Sequence, residues 1–135
     1  MEHRAVDLKN RTKSFALRII RLVRALPPGS ESRIMGGQLL RAATSMAANY
    51  RAVYRARSRA EFLAKLSVVL EEADEAAFWM ELITESGLVS EQKASLLKSE
   101  ANQLVAIFNA SRTTARRGFH SKINNQKSTI FGKAS

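Results

Sequence analysis

The chain has no cysteine, two prolines, two histidines and 12 acidic residues against 22 basic ones in 135 positions. Without cysteine there is no disulfide framework, no thiolate metal site and no thiol nucleophile. The histidines, His3 and His120, lie near opposite ends, outside the strongly periodic part of the chain. A Ser-His-Asp arrangement therefore has nothing to be built from. Helical bundles that hold two metal ions use Glu-x-x-His pairs, and Glu71, Glu72, Asp74 and Glu75 have no histidine at that spacing. A carboxylate-only magnesium site is the one metal option left, and ion-paired or solvated carboxylates are the commoner use of such a cluster. There is no GxxxxGK[ST] loop, and Gly36-Gly37 is not a nucleotide loop. No apolar run approaches about 18 residues, so no segment spans a membrane. The N-terminal MEHRAVDLKNRTKSF has no apolar signal core. These absences lead to the expectation of a non-enzymatic cytoplasmic protein with no cofactor and no metal. The length suits one domain with a real core.

What is present is helical periodicity. Phe15, Ile19, Leu22 and Leu26 follow 4-3-4 spacing and predict a first helix from Asn10 or Thr12 to Leu26, stopped by Pro27-Pro28. Leu17 and Ile20 fall on its far side, which points to a second buried surface. Ser30 is placed to cap a second helix over Glu31–Ala56, with Leu39, Ala43, Met46, Tyr50 and Val53 on its core face. Ser45, Ala48, Ala52 and Ala56 lie nearly opposite and are all small. A helix that is small or apolar nearly all round is buried on more than one side, so this face predicts an oligomer contact. Alanine's helix propensity is the plainer explanation of the same residues. Ser58-Arg59-Ala60-Glu61 is a capping box. It opens a third helix to about Ser86, whose seam is Phe62, Leu66, Val69, Ala73, Ala76, Met80 and Ile83. That 4-3 repeat is the seam of an antiparallel bundle. Gly87-Leu88 reads as a Schellman ending. Ser90 caps a fourth helix with Leu97, Ala101, Leu104, Phe108 and Ser111 on its seam, fading near Ala115. The fold class is thus all-α, an up-down antiparallel four-helix bundle over residues 1–115. Residues 116–135, RRGFHSKINNQKSTIFGKAS, are expected to be a basic, flexible tail.

Charge is unevenly spread. Residues 1–70 hold 14 basic and 4 acidic side chains, residues 71–100 hold 2 and 8, and residues 101–135 hold 6 and none. A basic excess favours polyanion partners such as RNA or DNA. Candidate phosphate-contacting residues are Arg18, Arg21 and Arg24 on the first helix and Arg41, Arg51 and Arg55 on the second. Arg57 and Arg59 stand at the corner, and Arg116, Arg117 and Lys122 in the tail. Tyr50 and Tyr54 interleave with them, although Tyr50 falls on the core stripe. Glu71, Asp74, Glu75, Glu81 and Glu85 cluster on the third helix with Phe78 among them and Trp79 beside it. That acidic-aromatic face is expected to meet arginines, in the same subunit or the next. The expected oligomer interface is Leu17, Ile20, Ser45, Ala48, Ala52, Phe78 and Trp79.

The run Gln38-Leu39-Leu40-Arg41-Ala42-Ala43-Thr44-Ser45-Met46-Ala47-Ala48-Asn49 resembles the Q-L-x-R-A-x-x-S-x-x-A-N pattern of the four-helix bundle proteins known as 23S rRNA intervening-sequence proteins. Arg57 to Phe62, Leu66 and Glu71 to Glu75 resemble the second half of that pattern, and Pro27 matches its proline. The likeness covers roughly residues 8–115. Many members continue after the asparagine with Ile-Ala-Glu-Gly, whereas this chain has Tyr50-Arg51-Ala52-Val53. A role resting on that glutamate therefore does not carry over. The resemblance implies a bundle that assembles into a ring of five. It also implies kinship with the accessory variability determinant of diversity-generating retroelements, basic pentamers that bind nucleic acid and partner a reverse transcriptase. The expectation is a non-enzymatic homopentamer that binds RNA or DNA phosphates and partners a reverse transcriptase or another nucleic-acid enzyme. The alternative is a protein–protein scaffold whose charged faces serve subunit assembly.

Overall fold

Four helices follow one another: α1 (Glu2–Arg24), α2 (Ser30–Val53), α3 (Arg59–Glu85) and α4 (Glu91–Phe131). They are seen in a computed structural model that describes the backbone of residues 2–131 and the side chains of residues 7–118. Among these residues there is no strand, and no helix is long and apolar enough to cross a membrane. Each helix packs against its neighbours in sequence, and α1 closes against α4, so α1 and α3 stand on one diagonal and α2 and α4 on the other. Short connections between neighbours make the arrangement up-down and antiparallel, as the periodicity predicts.

The seams meet in the centre. Phe15 and Ile19 of α1, Leu39, Ala43 and Met46 of α2, Val69, Ala73 and Met80 of α3, and Leu104 and Phe108 of α4 are all buried in one cluster. Tyr50 packs its ring on Phe108 with centroids 5.6 Å apart. Removing an aromatic ring from such a site costs about 3–5 kcal/mol, because the lost contacts add to the cavity left behind. At Gly36, α1 and α2 approach closely. A Cβ there would stand 2.9 Å from Leu26 Cδ1 and 3.3 Å from Val23 Cγ1.

The helix ends show where sequence patterns succeed and where they mislead. Ser58 accepts from the Glu61 backbone N–H at 3.1 Å, as a capping box requires. The Glu61 carboxylate reaches back to the Arg57 N–H rather than to that of Ser58. At the far end of α3, Gly87 has φ +85°. Its N–H donates to the Thr84 carbonyl, and that of Leu88 donates to Ile83. This is the Schellman pair of bonds. Ser90 Oγ accepts from the Lys93 N–H at 3.2 Å. Ser30, by contrast, caps nothing. It is already helical, and Gly29 is the N-cap, with no side-chain bond.

Three boundaries move. α1 begins at Glu2 rather than at Asn10 or Thr12, because the buried stripe continues backward through Thr12 to Leu8. Thr12 does not cap; its hydroxyl donates to the Lys9 carbonyl within the helix. α2 ends at Val53 rather than Ala56. The Arg55 and Ala56 N–H groups turn to carbonyls three residues back, which tightens the chain before Ser58 goes extended. α4 does not fade near Ala115; helical backbone continues to Phe131, through most of the segment expected to be a flexible tail.

Candidate nucleic-acid interface

The antiparallel order puts the start of α1, the α2–α3 corner and the later part of α4 at one end of the bundle. Two contacts fix this. The Lys9 ammonium stands 5.9 Å from the centre of the Tyr54 ring. The Arg59 guanidinium lies against Gly118, with Nη2 3.5 Å from where a Cβ on that residue would be. Between α2 and α3 at this end is an open groove of about 620 Å³, lined by Ala48, Arg51, Ala52, Arg55, Arg57, Glu61 and Lys65. Its floor is shallow because Ala48 and Ala52 present only methyl groups. Arg51, Arg55 and Arg57 are exposed, and no ion pair involves them among the described residues. The one acid in the lining, Glu61, is occupied by Lys65 at 3.7 Å. In water such arginines are fully charged donors in a fixed fork, suited to phosphate oxygens.

The eleven cations expected to contact phosphate do not form one patch. Arg51, Arg55, Arg57 and Arg59 gather at the corner, and Arg116 and Arg117 are exposed on the turn of α4 that Arg59 touches. Arg21 and Arg24 occupy the last turn of α1, with Arg18 half-buried just before them. They belong to the opposite end, about 36 Å away along the 24 residues of α2. The Lys122 side chain lies outside the described residues.

Arg41 is committed elsewhere. It forms ion pairs with Glu75 at 2.5 Å and Glu72 at 3.3 Å. These joined residues belong to the two half-patterns read in the sequence. The hydrogen bond that Arg41 donates to Glu75, and the charge of Glu72 after it, raise the Arg41 pKa. Glu72 is itself shifted upward, because its burial outweighs the help it receives from Arg41. Of the five carboxylates expected to meet arginines, Glu75 alone does so within the subunit; Glu71, Asp74, Glu81 and Glu85 are in no ion pair among the described residues. Asn49, the last residue of the first half-pattern, donates to the Ser45 carbonyl and hydroxyl at 2.8 and 3.0 Å and serves its own helix.

The periodicity of the two half-patterns and the structure now converge with a third observation. A family model described as 23S rRNA-intervening sequence protein matches residues 4–110. The chain belongs to the 23S rRNA-intervening sequence protein family. A solved structure from Bacteroides thetaiotaomicron, described as a protein with unknown function from the S23 ribosomal protein family, is 29% identical. The match covers 77% of this chain and 96% of that one, with a TM-score of 0.71. No curated protein matches. Ala52 lies between Arg51 and Arg55 in the groove, and the carboxylate of the lining is that of Glu61.

The expected interface residues are scattered over three helices. Leu17 is 45% and Phe78 52% exposed, whereas Ile20, Ser45, Ala52 and Trp79 are half-buried and Ala48 is exposed. Phe78 is not covered within one chain; its only ring contact is an edge-on one with Trp79 at 5.0 Å among the described residues. Ala48 and Ala52 share the groove with the arginines. Features that escaped the sequence reading include an ion pair and a buried guanidinium nitrogen. Arg11 of α1 pairs with Glu100 of α4 at 2.6 Å, which joins the first and last helices. Arg112 buries its Nε without a partner among the described residues. No cluster of three metal-ligating side chains occurs among the described residues.

Proposed function

We propose that this protein is a non-enzymatic nucleic-acid-binding accessory protein that grips RNA or DNA phosphates in the groove between α2 and α3. The observation that carries the reading is the set Arg51, Arg55 and Arg57, exposed around one groove and in no ion pair among the described residues. Buried or paired arginines would serve the fold. Open arginines in the last turn of α2 and in the corner that follows it keep their charge available for a polyanion, whose binding releases condensed counterions. Arg59, Arg116 and Arg117 extend the basic surface beyond the groove. Membership of the family supports a role near nucleic acid by analogy alone. The resemblance to the retroelement accessory proteins extends the proposal to a ring of five and to a reverse transcriptase or similar enzyme as partner. Exposed Leu17 and Phe78 supply apolar surface for assembly.

The exposed apolar side chains and the alanine floor of the groove also favour a second reading, a scaffold in which another subunit or protein fills the groove. Anisotropy titration of a labelled structured RNA and of a DNA duplex, with particle mass recorded on the same samples, separates the two. The nucleic-acid reading expects binding by an intact particle, weakened by salt, and lost in an Arg51/Arg55/Arg57 triple alanine variant of unchanged mass. The scaffold reading expects that variant to change the mass.

A further inference from the structure

Two tyrosines one turn apart on α2 have opposite surroundings. Tyr50 is 5% exposed and packs at a tilt against Phe108. Tyr54, the C-cap of the helix, is 45% exposed and has no aromatic partner among the described residues. Core packing explains the first ring and not the second. The Lys9 ammonium stands over the ring, 5.9 Å from its centre, and the remaining exposure of the side chain leaves apolar ring surface open to solvent beside that charge. Arg55 follows it directly in the chain, and both Arg55 and Arg57 line the groove.

We infer that Tyr54 is a stacking platform for an unpaired base, so that the site takes single-stranded nucleic acid in preference to duplex. This inference rests on the proposed phosphate grip of the groove and adds the class of strand. In a duplex each base face is covered by its neighbours, and only edges are offered in the grooves. A tyrosine face can stack only on a base that has left the helix, and such stacking tolerates any base because every base has a π-face. The arginines hold the backbone while the ring takes one base beside it. That division separates the two contributions experimentally, since stacking engages no phosphate and leaves the salt dependence alone.

The test is anisotropy titration of the full chain with fluorescein-labelled 20-mers of U and of A and a 20-base-pair RNA duplex, for wild type, Tyr54→Ala and Tyr54→Phe. The inference expects the single strands to bind more tightly. Tyr54→Ala should lose about 5- to 100-fold in affinity for them, with the slope against salt unchanged and duplex affinity within twofold of wild type. Tyr54→Phe keeps the ring and should retain single-strand binding. Tyr54 is exposed, and a matching thermal unfolding curve confirms that both variants fold. Equal wild-type affinity for strands and duplex overturns the inference while the phosphate grip stands. So does a Tyr54→Ala loss shared equally by duplex, or a Tyr54→Phe loss as large as that of alanine. Wild type that binds neither overturns the grip and the inference together.

Discussion

Arg41 and Arg51 lie on one helix, ten residues apart, and have different fates. Arg41 is held by Glu75 and Glu72 across the α2–α3 seam. Arg51 opens into a groove whose single acid is taken by Lys65. Arg11 belongs with Arg41, since its guanidinium is used by Glu100 to tie α1 to α4. Residue type is constant across the three; what differs is whether a neighbouring helix brings a carboxylate to the same height. A paired arginine contributes to the fold. An open one leaves the fold nearly indifferent and keeps its charge for a ligand. Counting arginines therefore overstates a nucleic-acid surface, since Arg11 and Arg41 are held in ion pairs; among the exposed, unpaired ones the proposal singles out the triad that shares a groove.

The largest expected effect breaks the comparison at the groove. The Arg51/Arg55/Arg57 triple alanine variant should lose on the order of 100-fold in nucleic-acid affinity at moderate salt. Its unfolding free energy should stay within about 0.5 kcal/mol of wild type, as for surface substitutions away from packed features. Denaturant melts beside titrations check both halves. At the paired arginines the pattern should invert. Arg11→Ala, which leaves the half-buried Glu100 without its partner, should cost about 1–2 kcal/mol and leave binding within twofold. A double-mutant cycle with Glu100→Ala reads the coupling.

Glu75→Gln sharpens the contrast by moving Arg41 toward the open class. An exposed pair is worth about 0–1 kcal/mol, so stability should change little. Affinity for nucleic acid should rise about two- to fivefold as a bound charge is released; an unchanged affinity would mean that position along α2 matters more than pairing.

The tyrosine pair offers a pH test of burial. The Tyr50 phenol is pushed up to about 12, chiefly by burial and then by Tyr54 and Asp7. Its protonated form is favoured in the folded state. The resulting stabilisation is full below the ordinary tyrosine value near 10 and is lost relative to the neutral form as pH climbs from there toward 12. Wild type should lose more stability than Tyr50→Phe over that interval in alkaline denaturant melts.

The smallest effect concerns two adjacent glycines. Gly37 faces open space, while a Cβ on Gly36 meets Leu26 and Val23. Gly37→Ala should stabilise by about 0.5–1 kcal/mol through helix propensity. Gly36→Ala should gain less or lose, because α1 must give way.

How much of this was readable in the sequence depends on whether the information is angular or axial. Periodicity assigns a residue its angle on a helix, and the α3 seam from Leu66 to Ile83 is buried as that angle requires. Local hydrogen-bond chemistry is also readable, and Ser58, Gly87 and Ser90 end or start helices as expected. Height along the bundle is not local. The Arg11–Glu100 pair spans nearly the whole chain and exists only once α1 closes on α4. For the same reason the sequence could not separate Arg18, Arg21 and Arg24 from the corner arginines as candidates, and antiparallel packing sends them to the other end. Helix limits at Glu2 and Phe131 escaped because polar flanks without strong stop residues carry little boundary information.

The most direct measurement is the slope of log affinity against log salt for wild type, the groove triple variant and Arg41→Ala, using one labelled RNA duplex. If the groove triad grips phosphate, the triple variant should flatten the slope by about 2–3, close to one unit for each lost contact, while Arg41→Ala keeps the wild-type slope. A triple variant with the wild-type slope, or an Arg41→Ala slope flattened as much, would contradict the division between open and paired arginines.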